Sequence, residues 1–233
     1  MIVLGIDTSG YTNAIGVVDG KKRLSERAFD AKTDSLEQIV DNIDTTLKNA
    51  GLALDDVQGI GVGLGPGSWT GIRVGVTVGK MLAFGLDKPV GGVSTLESLA
   101  YRARHETGRI CAVIHAGTGS NVYAAFYLPD DEGVAITGDY FYGDIRELLA
   151  KINEPSVLVG QGTESYLQLY GGVLKSPVKA IEAAPDGAVV ALLANQRIEK
   201  GESDDTLALT PLYLKESTAK AFVNKYRGIQ AKD

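Results

Sequence analysis

The stretch GIGVGLGPGSWTGIRVG, residues 59–75, joins a glycine-rich strand, a tight turn and the start of a helix. Glycine occupies every second position of its first part, at Gly59, Gly61, Gly63 and Gly65. Side chains alternate between the two faces of a strand, so these glycines leave one face bare. We therefore expect another backbone or a ligand to lie very close to this strand.

The turn after this strand predicts a junction where backbone N–H groups collect. Pro66 and Gly67 interrupt the strand, and Ser68 or Thr70 is placed to cap the helix that follows. Free N–H groups at a helix start favour an anion or a partner chain. A loop with tight packing needs is the alternative, and the residues alone leave both open.

The same stretch carries a resemblance to a known family. Residues 65–75, GPGSWTGIRVG, resemble the GPGSFTGxRxG signature of the TsaB (YeaZ) family. Residues 4–18 (LGIDTSGYTNAIGVV), 89–100 (PVGGVSTLESLA) and 210–215 (TPLYLK) resemble three further motifs of that family. The resemblance spans the chain and implies a non-catalytic partner protein in bacterial tRNA threonylcarbamoyladenosine (t6A) synthesis.

Composition limits how the chain can meet its partners. It has 233 residues, enough for one large or two small domains, and a formal net charge of −6. An acidic protein binds tRNA phosphates poorly by itself, so we expect any tRNA contact to come through a complex. No leader segment and no run of about 18 apolar residues is present, which predicts a cytoplasmic protein without a membrane span. The lone Cys111 excludes an internal disulfide and is expected to be a buried, inert thiol.

Periodicity predicts the same order of elements in both halves of the chain. The first half is expected to contain strands at 3–7, 13–18, 22–29, 57–64 and 90–93, with helices at 35–50, 70–86 and 94–104, the last with a capping box between Ser94 and Glu97. The second half is expected to contain strands at 110–115, 121–128, 134–142, 157–159 and 178–181, with helices at 144–152, 163–169 and 188–200, the last crossing back to the first lobe. This order predicts an α/β fold of two ribonuclease-H-like lobes of the actin/sugar-kinase/Hsp70 (ASKHA) superfamily, as the family resemblance also implies.

Domain boundaries follow from that repetition. We assign an N-terminal lobe to residues 1–106, which carries the partner-binding helices, and a C-terminal lobe to residues 107–214. Residues 215–233 form a basic tail with five cationic and two anionic side chains. The tail could contact RNA or a partner, and a solvated chain end is the alternative.

Glycine also recurs along one side of the helix after the signature. Gly71, Gly75 and Gly79 are spaced by four residues and share a face, next to a stripe formed by Val74, Val78 and Leu82. Each glycine costs roughly 1 kcal/mol relative to alanine, so a close approach is expected there. The approach could be to the sheet of the same chain or to a helix of another chain, and we favour the second.

The resemblance gives this surface a partner. TsaB relatives pair with the TsaD transferase through first-lobe helices, which implies an interface on residues 35–50 and 70–86. Trp69 and Arg73 would be natural anchors, because Trp and Arg are enriched at binding hot spots; Trp69 in the core is the alternative. The other expected contacts of the first helix are Leu36, Ile39, Val40 and Ile43.

Catalytic and metal motifs are sparse. The two histidines, His105 and His115, are ten positions apart and do not form the HxxxH metal motif that the resemblance gives to the transferase. We therefore predict no metal site and no catalytic residue. One candidate phosphate-binding turn remains, Asp7–Thr8–Ser9, in which Asp7 would help hold a metal; a turn bonded to its own backbone is the alternative.

Together with the missing catalytic motifs, the family resemblance implies a scaffold subunit. By that resemblance the chain would bind and activate a TsaD-like enzyme that transfers a threonylcarbamoyl group to N6 of adenosine 37 in ANN-decoding tRNAs. An ATPase of the TsaE type is the expected third partner, and a homodimer is expected without the transferase. The chain itself would need no cofactor, although ATP and magnesium could bind at the joint between subunits. The alternative is a stand-alone ASKHA-type kinase or ATPase that uses Asp7 as a metal ligand.

Overall fold

The computed structural model describes residues 1–30, 38–117 and 119–215 of the chain. These residues build two β-sheets, each covered by helices on both faces. The first sheet contains β1 (Ile2–Asp7), β2 (Thr12–Asp19), β3 (Lys22–Asp30), β4 (Gly59–Gly63) and β5 (Val90–Val93). The second contains β6 (Arg109–His115), β7 (Asn121–Asp130), β8 (Gly133–Ile136), β9 (Phe141–Asp144), β10 (Ser156–Gly160) and β11 (Val178–Glu182). The helices are α1 (Ile39–Asn49), α2 (Trp69–Leu86), α3 (Thr95–Arg102), α4 (Ile145–Ala150), α5 (Thr163–Tyr170) and α6 (Gly187–Glu199).

The two sheets share one strand order. In the first it is β3-β2-β1-β4-β5, with β1, β4 and β5 parallel and the β1–β2–β3 pairs antiparallel. In the second it is β8-β7-β6-β10-β11, with the same pattern of parallel and antiparallel pairs. The predicted repeat of elements and the two-lobed α/β fold are therefore confirmed.

Two local predictions were wrong. The expected strand at 134–142 is divided into β8 and β9, which pair with different parts of β7, and Gly138 between them has a φ of 90°. The expected capping box of α3 is absent, because Glu97 pairs with Arg197 of α6 instead of reaching back to the helix start. A distant cation outweighed the local hydrogen bond, and no local signal predicts that contact.

The third helix of each half packs against the sheet of the other half. Helix α3 buries Leu96 and Leu99 against the second sheet, whereas α6 crosses back and buries Ala191 and Ala194 against the first. The predicted crossing of the last helix is therefore confirmed, and the exchange extends across the predicted boundary between residues 106 and 107. Each lobe is completed by a helix from the opposite half of the chain.

Helix α6 lies close to the first sheet because that sheet presents glycines to it. A Cβ at Gly5 would overlap the backbone of Gly187 and Ala191, and one at Gly16 would overlap Ala188. A Cβ at Gly61, in the middle of β4, would meet Val190 O at 2.9 Å. The bare face predicted for β4 therefore receives a backbone, and that backbone belongs to the same chain.

The single cysteine has the predicted environment. Cys111 lies on β6 with no exposed surface. Burial raises the pKa of its thiol to about 12, so the reactive thiolate is suppressed at neutral pH.

Candidate functional site

Helix α2 starts at the signature turn and runs across the outer side of the first sheet. Ser68 caps it, with its Oγ accepting a hydrogen bond from Gly71 N at 3.3 Å. The helix ends at Asp87, whose φ of 52° is left-handed. The predicted cap and the predicted helix are thus both present.

The glycine face of α2 is turned towards its own sheet. A Cβ at Gly71 or Gly75 would overlap Thr8, and a Cβ at Gly79 would overlap the side chain of Val62 on β4. The interpretation of these three glycines as a groove for another chain is therefore wrong. The helical period showed that they share a face, but not what lies against it.

The opposite face of α2 is open to solvent and carries two large apolar side chains, Met81 and Phe84, in line with the exposed Arg73 and Thr77. We call the side of the helix that carries Met81 and Phe84 the outer face of α2. Met81 is 69% exposed and Phe84 72% exposed, while Val74 and Val78 are half-buried at its border with the core. Leu82 is also half-buried and packs against the core. Exposed apolar side chains in one stripe are typical of an interaction surface.

Sequence reasoning missed Met81 and Phe84, although a signal was available. Residues 73, 77, 81 and 84 follow helical spacing on the side of the helix opposite the glycines, and the last two of them are Met81 and Phe84. Once the glycines are known to face the sheet, the opposite side must face solvent or a partner.

Helix α1 contributes less to this surface than predicted. Ile39 and Ile43 are 3% and 4% exposed and belong to the core under the helix, so their assignment to an interface was wrong. Val40 is 63% exposed and remains available for a partner. Leu36 lies outside the described residues.

Trp69 and Arg73 meet a residue from the far end of the chain. The Trp69 ring lies 4.3 Å from the ring of Tyr213, and the Arg73 guanidinium lies 4.3 Å from the Trp69 centroid. Arg73 Nε also donates to Tyr213 Oη at 3.1 Å. Trp69 is 39% exposed, which excludes the core alternative. The three side chains form a partly exposed cluster at the start of α2, and the contribution of Tyr213 could not be seen from sequence spacing.

The chain reaches Tyr213 through an extended segment that returns to the first sheet. Asp204 bridges to Val90, and its carboxylate accepts from Gly92 N at 2.6 Å. Lys80 of α2 donates to the carbonyl oxygens of Leu207 and Leu209 at 2.8 and 2.9 Å. This segment therefore covers the edge of β5 and holds α2 from the side. Of the predicted basic tail only Lys215 is described, with Nζ 5.7 Å from the Tyr142 ring.

The Asp7–Thr8–Ser9 turn is closed to ligands. The three residues are at most 1% exposed. Asp7 Oδ1 accepts from Ser9 N at 2.9 Å and from Ser9 Oγ at 2.6 Å, while Oδ2 accepts from Thr95 Oγ1 at 2.8 Å. Burial raises the pKa of Asp7, although these hydrogen bonds oppose the shift. The assignment of this turn as a phosphate cradle with a metal-holding Asp7 does not fit this geometry, because the donors and the carboxylate are already used within the protein.

A cavity of about 870 Å³ lies beside this turn, between the two lobes. Its walls are largely apolar and aromatic, with Tyr11, Trp69, Tyr123 and Tyr213 among them. No carboxylate occurs among the described residues that line it, so a magnesium–nucleotide complex would find no carboxylate ligand on this wall. The polar side chains at the wall are Ser9, Ser68, His115, Gln161 and Lys215.

His115 is engaged by its own loop. Its Nδ1 accepts from Gly117 N at 3.1 Å, and its Nε2 lies 3.0 Å from Gly119 O. The Tyr11 ring from the first lobe stacks on it at 6.5 Å between centroids. No group of three or more potential metal ligands occurs in residues 1–30, 38–117 and 119–215.

No helix in the described part of the chain is long and apolar enough to span a lipid bilayer.

The chain is similar to known proteins over most of its length. The family model TsaD, described as tRNA N6-adenosine threonylcarbamoyltransferase, matches residues 29–221. The tRNA threonylcarbamoyladenosine biosynthesis protein TsaB of Bacillus subtilis is 31% identical over 227 residues, which cover 95% of this chain and 97% of that protein. The protein of the same name from Escherichia coli is 28% identical and covers 94% of this chain and 96% of its own length.

Solved structures give the same picture of the fold. YeaZ from Pseudomonas aeruginosa superposes with a TM-score of 0.79 at 25% identity, over 91% of this chain and 99% of that one. Component A of (R)-2-hydroxyglutaryl-CoA dehydratase from Acidaminococcus fermentans has a TM-score of 0.50 at 12% identity, over 85% of this chain and 99% of that one, and shows the fold alone. The chain therefore has two lobes of the ASKHA type.

Proposed function

The chain belongs to the TsaB family, and from this premise we propose that it is a non-catalytic subunit in t6A synthesis on tRNA. It would bind and activate a TsaD-like transferase that modifies adenosine 37 of ANN-decoding tRNAs. Two findings support this proposal: the relatives are tRNA threonylcarbamoyladenosine biosynthesis proteins, and the chain matches the threonylcarbamoyltransferase family model.

One observation carries the proposed mode of action. The outer face of α2 exposes Met81 and Phe84 while the opposite side of the same helix is fully used by its own sheet. An apolar helix face of this kind suits packing against a helix of another protein. Val40 on α1 and the Trp69–Arg73 pair at the start of α2 extend the proposed interface with an apolar side chain and two hot-spot residue types.

The absence of catalysis is part of the proposal. Asp7, the carboxylate that a kinase of this fold would use for metal, is sealed by Ser9 and Thr95. The Asp7 carboxylate serves as a hydrogen-bond acceptor within the fold. This supports the proposal that the chain contributes a binding surface while its partner carries the catalytic residues.

The test is to mix the purified chain with the TsaD-like transferase of its own genome. We expect a mixed complex by light scattering and a measurable dissociation constant by calorimetry. Met81→Glu and Phe84→Glu should each weaken the complex at least tenfold, because a carboxylate would be buried in an apolar contact.

Leu169→Glu is the matched control. Leu169 is 70% exposed on α5 of the second lobe, so the same change of charge is made on an equally open leucine far from α2. An unchanged affinity of Met81→Glu and Phe84→Glu would refute the proposed interface. Gly75→Arg is unsuitable here, because it would collide with Thr8 inside the fold.

The stand-alone kinase or ATPase is the competing function. Magnesium-dependent binding of ATP by the purified chain, abolished by Asp7→Asn, would support it. We expect no such binding, because Asp7 already accepts three hydrogen bonds and faces no open space.

Other parts of the proposal concern the assembly. An ATPase of the TsaE type would join the complex, tRNA would be reached only through it, and ATP with magnesium would bind, if at all, at the subunit joint. Without the transferase the outer face of α2 would pair with a second copy of the chain. The site of action would be the cytoplasm, in line with the role of the relatives in tRNA threonylcarbamoyladenosine biosynthesis.

A further inference from the structure

The turn at the end of β1 connects two helices that have different tasks. Asp7, Thr8 and Ser9 are buried and contact both the start of α2 and the start of α3. Helix α2 carries the proposed partner surface, whereas α3 packs against the second sheet. The hydrogen bonds of this turn therefore affect the orientation of both α2 and α3.

Thr8 and Ser9 hold the first turn of α2. Thr8 Oγ1 donates to Gly71 O at 2.7 Å, and Ser68 N donates to Ser9 O at 2.6 Å. Gly71 and Gly75 make this approach possible, since a Cβ at either position would overlap Thr8. The helix start thus contacts the turn through backbone atoms and one hydroxyl.

Asp7 extends the same network to α3. Its carboxylate accepts from Ser9 and from Thr95 Oγ1, and Ser9 Oγ lies 2.9 Å from Thr95 Oγ1. Thr95 is the first residue of α3. The turn is consequently a fully bonded link between the first sheet and both helix starts.

Helices are usually held in register by side chains that interdigitate with their neighbours. On α2 only Ile72, Val76 and Ala83 are buried in the core in this way, whereas Gly71, Gly75 and Gly79 make the closest approaches and provide no side chain. At the first turn of the helix, where Gly71 faces Thr8, directional hydrogen bonds therefore add to the positional restraint.

We infer that Thr8 is a positioning residue for the outer face of α2. Its hydroxyl fixes the start of the helix against β1, and thereby the place that Met81 and Phe84 occupy, without touching a partner itself. The inference rests on the proposed function, since it assigns Thr8 an effect on partner binding through α2. The turn that was a candidate for phosphate binding from the sequence serves here to orient a helix.

The experiment compares Thr8→Val with Thr163→Val. Both replace a buried threonine that donates one hydrogen bond by an isosteric side chain, but Thr163 lies in the second lobe and bonds Glu182 at 3.0 Å. Amide hydrogen exchange of α2 in the free chain and the dissociation constant for the transferase are measured for each. Thr8→Ser, which keeps the hydroxyl, is the rescue variant.

We expect Thr8→Val to accelerate exchange in the first turns of α2 and to weaken the complex about tenfold. Thr8→Ser should restore both, and Thr163→Val should change neither while it lowers overall stability to a similar degree. If Thr8→Val does not fold, Thr8→Cys, whose thiol is only a weak donor, replaces it.

The outcomes separate this inference from the proposed function. If Met81→Glu weakens the complex but Thr8→Val binds within twofold of the unmodified chain, the positioning role is refuted and the interface stands. If Met81→Glu has no effect, the interface is refuted, and the exchange data alone decide whether Thr8 fixes α2. Equal effects of Thr8→Val and Thr163→Val on both readouts would also refute the inference.

Discussion

The two sheets of this protein have the same strand order and the same exchange of a helix, yet they receive that helix differently. The first sheet presents Gly5, Gly16 and Gly61 to α6, so helix and strand backbones touch. The second sheet presents larger side chains to α3, and leucine and alanine side chains of α3 pack against them. One interface depends on the absence of Cβ atoms, and the other on side chains that interdigitate.

This difference shows how two sheets with one topology can differ in their tolerance of substitutions at the interface between helix and sheet. A contact between backbones cannot relax when a methyl group is added, because both sides belong to regular elements. A contact between side chains can relax through other rotamers, so its losses are graded. The following predictions are ordered from the largest expected effect to the smallest and test that contrast.

Gly5→Ala should have the largest effect on stability. The added methyl would overlap the carbonyl of Gly187 and the backbone of Ala191, and neither can move without shifting α6. We expect a loss of about 3 kcal/mol or more in the free energy of unfolding, measured by urea denaturation. Gly172→Ala is the control, because a Cβ there meets nothing within 4 Å. Equal stability of the two variants would show that the backbone of α6 does not contact the backbone of the first sheet at Gly5.

Leu96→Ala should produce a graded loss in the second lobe. Leu96 is fully buried between α3 and the second sheet, so its truncation leaves a cavity worth about 3 kcal/mol. Leu96→Met, which conserves volume, should cost less than about 1.5 kcal/mol, measured by the same urea denaturation. If the methionine variant were as unstable as the alanine variant, the interface of α3 with the second sheet would be as rigid as that of α6 with the first sheet. The proposed difference between the two sheets would then be wrong.

The pair Glu97–Arg197 joins the two exchanged helices and should show measurable coupling. Arg197 Nη2 donates to both carboxylate oxygens of Glu97 at 2.7 and 2.6 Å. The side chains are 19% and 32% exposed, so partial burial strengthens the pair relative to an open surface pair. A double-mutant cycle with Glu97→Gln and Arg197→Gln should give a coupling energy of about 1 kcal/mol. A coupling energy near zero would mean that the ion pair does not help to hold the helices, and that α3 is held by the second sheet and α6 by the first.

Two carboxylates, one in each lobe, should have opposite and smaller pH effects. Burial raises the pKa of Asp7, so its contribution favours folding below the ordinary aspartate range, about 3.9, and is lost as the pH rises through the folded pKa. Desolvation also acts to raise the pKa of Glu182, but hydrogen bonds from Glu164 N, Gly162 N and Thr163 outweigh it and lower the pKa. The contribution of Glu182 is therefore present above about 4.3 and is lost as the pH falls through the folded pKa.

Unfolding measured between acidic and neutral pH checks these signs. The stability of the unmodified chain relative to Asp7→Asn should rise towards acid, whereas relative to Glu182→Gln it should fall. For Glu182→Gln we expect a loss of about 1 kcal/mol or less at neutral pH, since the carboxylate caps α5 at an exposed position. Parallel pH profiles for the two variants would contradict the assigned environments.

Much of the molecule could be predicted from local patterns. Alternation and helical period identified both lobes, and Ser68, one of two candidate caps with Thr70, is the cap of α2, because capping needs only neighbouring residues. The site was predicted less well. Gly71, Gly75 and Gly79 were correctly assigned to one face but to the wrong neighbour, and the exposed Met81 and Phe84 were missed.

The amino-acid sequence by itself determined the order of elements, the start of α2 near Ser68 or Thr70, the buried thiol and the family, because each depends on nearby residues or on a contiguous motif. Only the tertiary structure decided which side of α2 faces solvent, that Tyr213 joins Trp69 and Arg73, and that Thr8 bonds Gly71. These contacts join residues far apart in the chain, and the pairing of β1 with β4 and the return of the chain after α6 create them. Periodicity specifies which residues share a face, whereas the packing of distant elements specifies what that face meets.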